Sequence, residues 1–176
     1  MVPLDKKQAR SCGLQARASM SSLSRMHKSE EVCKQVLAKI HAGMKIGCYV
    51  SINDELDTTM ILQYCFHQKI DVFVPKVEGN TLGFYQIQSF DDLHPASFNL
   101  LEPNTDIIIQ VEDIDMMIVP LSSYDEYNHR TGYGKGYYDS VLGKCKYKVG
   151  VAFQCQRVLS IDIEEHDITL DEIISA

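Results

Sequence analysis

The chain reads as a single α/β domain, three-layered α/β/α, around an open central sheet that is mostly parallel and mixed by an antiparallel strand. Three observations predict this. Lys45–Ser51 (KIGCYVS) and Asp71–Val77 (DVFVPKV) are short apolar runs, and the helical pattern between them carries Met60, Ile61, Tyr64 and Cys65. That β-α-β order implies a parallel pair joined by a right-handed crossover. Asp115–Leu121 and Tyr147–Phe153 supply further buried strands, and Gly79-Asn80 turns the chain back into an antiparallel strand at Leu82–Gln88.

The elements follow in order. Leu4–Met20 carries Lys6, Lys7, Arg10 and Arg17 between alanines and Leu14, a short helix that Gly13 weakens. Lys6 and Arg10, four residues apart, share a face and can converge on one anion, although a solvated basic face accounts for the spacing too. Ser29 reads as the N-cap of a second helix, with Glu30 and Glu31 in its first turn. Val32, Val36, Leu37 and Ile40 form its apolar stripe, and Gly43 stops it. Asp57 or Thr58 caps the crossover helix. Ligands of open sheets sit beyond the carboxyl ends of the strands, where Glu55 and Asp57 fall. Capping and surface charge explain those two acids equally well on spacing alone. Ser89–Asp106, broken by Pro95 and Pro103, reads as loop and Ile107–Val111 as a short apolar run. Tyr137–Leu142 has a short helical pattern with Asp139 one turn in.

Composition narrows the function. A chain of 176 residues, 45% hydrophobic and 23% charged, fits one globular domain over residues 1–176. The formal charge of −7 argues against general nucleic-acid binding, which rests on many cation–phosphate contacts. No apolar run spans a bilayer and the N-terminus lacks a signal peptide's apolar core, so no membrane partner is expected. None of the six cysteines forms a C-x-x-C pair or a zinc spacing, which fits reduced thiols in a cytoplasmic protein. A monomer is expected.

The chemistry concentrates in His129–Asp139, H-R-T-G-Y-G-K-G-Y-Y-D. Gly132, Gly134 and Gly136 alternate there, baring successive backbone amides that can form an anion-binding nest. Arg130 and Lys135 favour phosphate as the anion. The run is not a Walker A loop, because no Ser or Thr follows Lys135, nor a dinucleotide fingerprint, because no strand precedes it directly. It also lacks the companions of a kinase glycine loop. A plain turn has no need of Arg, Lys and the tyrosines Tyr133, Tyr137 and Tyr138.

These residues resemble a known family. The run R-T-G-Y-G-K-G-Y-Y-D is similar to the R-L-G-x-G-x-G-Y-Y-D signature of 5-formyltetrahydrofolate cyclo-ligases. Lys6–Arg10 is similar to the family's K-x-x-x-R, and Asp54–Thr58 to its acidic substrate element. Gly83–Ile87, Glu102-Pro103, Val151–Gln156 and His166–Ile174 resemble further family segments. The resemblance implies ATP-driven conversion of 5-formyltetrahydrofolate, free or polyglutamylated, to 5,10-methenyltetrahydrofolate, with magnesium as cofactor. It implies that ATP meets Lys6, Lys7, Arg10, Arg130, Gly132, Tyr133, Gly134, Lys135, Gly136, Tyr137 and Tyr138. Folate would meet Arg10, Val50, Glu55 and the Tyr133–Tyr137 stretch, with Arg130, Lys135 and Tyr137 catalytic and Asp139 and Asp167 on the metal. The chain departs from the pattern in places: before the loop it reads P-L-S-S-Y-D-E-Y-N where the family commonly has P-G-x-x-F-D-x-x-G, with Pro120, Tyr124 and Asp125 keeping the outline. Thr131 stands where the family usually has Leu, and Asn128 where it has Gly, a position that Asn can fill because it tolerates left-handed backbone. A binding protein without catalysis would keep the loop but lose the metal carboxylates. A phosphosugar or coenzyme A enzyme would share the sheet and an anion loop, and fold analogy does not separate these.

Overall fold

The computed structural model describes residues 2–176. The apolar runs become strands β1 (Lys45–Cys48), β2 (Asp71–Glu78), β3 (Thr81–Ile87), β7 (Met116–Val119) and β10 (Lys148–Ala152). Between them lie a small hairpin, β4 (Leu93–Pro95) with β5 (Leu101–Pro103), and the short edge strand β6 (Ile108–Ile109). A second short pair, β8 (Ser123–Tyr124) with β9 (Arg130–Thr131), leads into the glycine loop, and β11 (Glu172–Ser175) ends the chain. The main sheet has seven strands in the order β11-β10-β7-β1-β2-β3-β6. β11, β10, β7, β1 and β2 pair in parallel, while β3 runs antiparallel to both β2 and β6. The mixed, mostly parallel sheet expected from the sequence is therefore present.

Alternating side chains build two cores, one on each face of the sheet. From β7, Met116 and Ile118 join one cluster with Val32 and Val36 of α2 (Ser22–Leu37) and Ile61 and Leu62 of α3 (Thr59–Gln68). Met117 and Val119 join the other, with Leu121, Leu170 and Val141 and Leu142 of α4 (Asp139–Leu142). Strand β1 leads through α3 to β2 on one side, whereas β7 is followed outward by β10 and β11 on the other. The carboxyl ends of β1 and β7 thus flank a topological switch point, where a crevice opens in such sheets.

Several expectations need correction. α2 begins at Ser22, capped by Ser21, whose Oγ accepts the Ser24 N–H at 3.1 Å. Ser29 lies inside the helix, buried, and its Oγ accepts the Asp57 N–H at 3.0 Å. The early turns escape notice in the sequence because their apolar residues, Leu23 and Met26, point to solvent. Of the two caps expected for α3, the structure selects Asp57, whose Oδ1 accepts the Thr59 N–H at 2.8 Å, while the Thr58 side chain makes no cap bond. The segment read as loop, Ser89–Asp106, contains the β4–β5 hairpin, whose short strands end on Pro95 and Pro103. Asp139 starts α4 and does not lie a turn inside it.

Helix α1 (Lys6–Ala18) opens with an Asp5–Gln8 capping box and buries Ala9, Gly13 and Arg17. It packs against the segment that carries β8. A Cβ on Gly13 would lie 2.0 Å from the Ser122 carbonyl oxygen, so only glycine lets the two backbones meet. The turn after β8 is organised by the buried Asp125. Its Oδ1 accepts the Tyr127 and His129 N–H groups at 3.0 and 3.1 Å, while Oδ2 takes the Ile161 N–H and His129 Nδ1, both at 3.0 Å. Asn128 completes that turn with φ +64°, the left-handed conformation expected of it.

Two outcomes follow for stability. Gly13→Ala overpacks the α1 contact and should cost about 2–3 kcal/mol in urea unfolding. Asp125→Asn leaves buried N–H donors facing a neutral group that must itself donate, and should cost roughly 2–4 kcal/mol in the same measurement. A loss below about 0.5 kcal/mol in either variant would show the contact to be slack.

Candidate active site

A cavity of about 410 Å³ occupies the crevice at the switch point. Tyr49 and Val50 line it beyond β1, Pro120 beyond β7, and Lys135, Gly136, Tyr137, Tyr138 and Asp139 from the glycine loop. Glu55 and Glu102 bring carboxylates to its wall, and Glu102 accepts the Val77 N–H at 3.3 Å.

The glycine loop is fixed from both sides. The Gly132 carbonyl accepts the Ser122 hydroxyl and Arg10 Nε, each at 2.8 Å. The buried Thr131 hydroxyl meets those of Ser122 and Ser123, so the residue that departs from the family pattern has hydroxyl partners. Gly134 has φ +92°, and a Cβ there would stand 3.4 Å from the Arg10 guanidinium carbon. Glycine at that place thus frees the backbone and lets a cation lie over it.

Arg130 is the fixed charge of the loop. Its side chain is 4% exposed and donates from Nη1 to Asp139 Oδ1 at 3.0 Å. Burial pulls its pKa below the ordinary value, and Asp139 opposes that pull. Lys135, by contrast, is exposed, with Nζ 4.3 Å from the ring centroid of Phe98. Phe98 sits between β4 and β5 at φ +59°, 77% exposed, on the wall of the cavity. The Tyr138 ring packs edge-on to Phe84 with centroids 6.5 Å apart, and its hydroxyl is buried.

From α1, Lys6 Nζ reaches Asp167 at 2.6 Å. Burial disfavours this ammonium, but Asp167, Glu164 and Asp139 together raise its pKa above the usual lysine range. Burial also works against Asp167, yet the Glu164 N–H and Lys6 hold its carboxyl below the usual range. Lys6 therefore feels the charge of both acids that the family resemblance assigns to magnesium. Among the described residues no group of three or more His, Cys, Asp or Glu is placed to hold a metal. Two carboxylates suit magnesium nonetheless, since it uses one or two and fills its shell with water and phosphate. Lys7 is exposed and lies outside the cavity wall, and Asp57 serves as a cap.

Sequence reasoning did not place Arg17 or Phe98 in the site. Arg17 is buried and donates from Nη1 to the Tyr133 hydroxyl at 2.9 Å, while Nη2 lies 3.0 Å from Asp54 Oδ1. The 6, 10, 13, 17 spacing puts Lys6, Arg10, Gly13 and Arg17 on one helical face, a signal available in the sequence. Nothing comparable marks Phe98. Glu55 is drawn inward, its Oε2 accepting the Ile52 N–H at 2.9 Å. Burial raises its pKa, against the pull of the Ile52 N–H, the Tyr133 hydroxyl and the Arg17 charge.

Known proteins share both sequence and fold with this chain. The profile of the 5-formyltetrahydrofolate cyclo-ligase family matches residues 3–176. A 5-formyltetrahydrofolate cyclo-ligase of Escherichia coli strain K12 is 30% identical over 140 residues, covering 74% of this chain and 76% of its own length. One from Mus musculus is 25% identical over 174 residues, covering 89% and 86%. The solved structure of Aquifex aeolicus 5,10-methenyltetrahydrofolate synthetase superposes with a TM-score of 0.85 at 31% identity, over 97% of this chain and 89% of that one. With the glycine loop, the N-terminal cations and the mixed sheet all in place, the chain belongs to the 5-formyltetrahydrofolate cyclo-ligase family of enzymes.

Proposed function

We propose that this enzyme converts 5-formyltetrahydrofolate to 5,10-methenyltetrahydrofolate at the expense of ATP. The observation that carries the proposal is the arrangement of the cavity. Arg130, Lys135 and Gly136 of the glycine loop line one space at the switch point together with the acid Glu55. A nucleotide and an organic co-substrate can meet there.

The chemistry accounts for the residue types. A formyl oxygen is a poor leaving group, so the formyl oxygen first attacks the γ-phosphorus of ATP, and ADP departs. The N10 lone pair then forms a bond to the formyl carbon and N10 gives up its proton. The C–O bond breaks, inorganic phosphate leaves, and the methenyl bridge between N5 and N10 remains. Phosphoryl transfer asks the protein chiefly for positioning and charge neutralisation. Arg130, held by Asp139, offers a pre-oriented fork, and Lys135 a mobile point charge. Lys6 and Arg10 bring two further cations from α1, and Tyr137 on the cavity wall faces the reacting formyl and N10 groups. Glu55 accepts from donors on the pterin edge. Magnesium held by Asp139 and Asp167 would supply charge neutralisation at the phosphates.

The decisive test is the absorbance of methenyltetrahydrofolate formed with and without ATP. Formation in both cases, or in neither, would sink the assignment. Lys135→Ala should lower kcat by about 10²–10³ while the protein stays folded by circular dichroism. Asp139→Asn should shift the magnesium dependence of turnover several-fold upward. An unchanged magnesium titration removes Asp139 from the metal.

A further inference from the structure

Strand β6 closes one end of the main sheet and pairs on one side only, with β3. The Gln86 N–H donates to the Ile107 carbonyl at 2.8 Å, and Ile109 stands opposite Phe84. Ile107 and Ile109 therefore turn their backbone groups toward β3, whereas Ile108, opposite Tyr85, turns its N–H and C=O to the free edge. Among the described residues, nothing in the chain takes up those two groups. The side chains are bare as well. Ile107 is 56% exposed and Ile108 52%, on opposite faces of the strand. Natural edges are commonly blunted by Lys or Pro, and Ile107–Gln110 has neither.

The charge around this edge has one sign. Val77–His129 holds ten Asp or Glu and no Lys or Arg, more negative charge than the net −7 of the whole chain. Several of these acids are committed within the fold. Asp125 organises its turn, Asp92 accepts the Gln88 N–H, and Asp115 accepts the Lys45 N–H and meets Lys146. Asp106, Glu112 and Asp113, which flank β6, are exposed and enter no ion pair among the described residues. On β2, Lys76 Nζ lies 5.6 Å from the Tyr85 ring centroid, but Glu78 is bonded to the same tyrosine and offsets that charge. An acidic rim of this kind repels nucleic acid and anionic lipid. It also repels a second copy of the same edge, because acids would face acids. A cationic strand is the complement that remains.

We propose that β6 is a docking edge for an extended segment of another protein, in which apolar residues alternate with Lys or Arg. The segment adds a strand to the sheet. The Ile108 N–H and C=O supply its main-chain bonds. Asp106 shares a face of β6 with Ile108, so cations on that side of the partner meet Asp106, with Glu112 and Asp113 close in sequence. Apolar residues on the other side cover Ile107. None of these residues lines the cavity, so the proposal stands apart from the reaction.

The test uses the whole protein and a labelled peptide of alternating Lys and Val, followed by fluorescence anisotropy. Binding should be saturable and should weaken as salt rises. Ile108→Pro deletes the outward N–H and leaves the bonds to β3, so it should weaken binding about tenfold. Asp106→Asn, Glu112→Gln and Asp113→Asn together should weaken it about tenfold and flatten the salt dependence, with turnover unchanged. The same peptide methylated on alternate backbone nitrogens keeps its charge but cannot pair, and should bind about tenfold more weakly. Exchange of the Ile108 amide hydrogen should slow about tenfold in the saturated complex. Absence of binding overturns the proposal. Equal binding of the methylated peptide, or an Ile108 amide that exchanges as before, shows charge attraction alone and overturns it too. A dimer in sedimentation that Ile108→Pro dissolves would assign the edge to a second copy instead. Should Ile108→Pro fail to fold, the neutralised variant and the methylated peptide decide the matter.

Discussion

The site depends on one backbone contact, the approach of helix α1 to the Ser122 carbonyl at Gly13. With any side chain there, α1 would have to back away from the segment that carries β8 and β9. The Arg10–Gly132 and Arg17–Tyr133 bonds, which close 122 and 116 residues of chain, would then be out of reach. The glycine that costs the helix stability therefore sets the distance between the N-terminal cations and the loop. Lys6, Arg10 and Arg17 share the face that this contact turns inward.

Charge pairing divides the cations into two kinds. Lys6 on Asp167 and Lys135 over Phe98 are partly or largely exposed, and such contacts are worth about a kcal/mol or less. Either contact can therefore be given up at small cost. Arg130 and Arg17 are different. Each is about 5% exposed and each is anchored to an aspartate, Asp139 and Asp54. Removing either acid would strand a buried charge, which is strongly unfavourable. The fixed pair lines the cavity with anchored charge, while the contacts of the other two are loose.

The sheet was largely legible in the sequence, because its central strands are apolar on both faces and stand out as continuous runs. β11 was not, since Asp171 and Glu172 disguise a strand that pairs on one side only. The β4–β5 hairpin hides behind two prolines, which interrupt a pattern without preventing two short strands from pairing. α2 was found eight residues late in its N-cap because its first turns expose Leu23 and Met26 where a buried stripe would signal a helix. Within the site, Arg130, Lys135 and Asp139 announce themselves by crowding into one run. Arg17 and Phe98 do not, because their positions follow from contacts made at long range, and Phe98 further requires a backbone that its side chain disfavours.

Two of the departures from the family pattern, at positions 128 and 131, show what the loop demands. At position 128 the demand is for φ near +64°, and Asn meets it while its carbonyl accepts the Leu170 N–H at 3.0 Å. At position 131 the demand is for a side chain that fills a buried place beside Ser122 and Ser123. A branched apolar residue would fill it by volume. Thr131 fills it with a hydroxyl, which is tolerable only because those two serines offer partners at the same depth. Ser122 also holds the Gly132 carbonyl, so the hydroxyl cluster reaches directly into the glycine loop's backbone. The constraints on this loop are thus set on its backbone, and different side-chain chemistry can satisfy them.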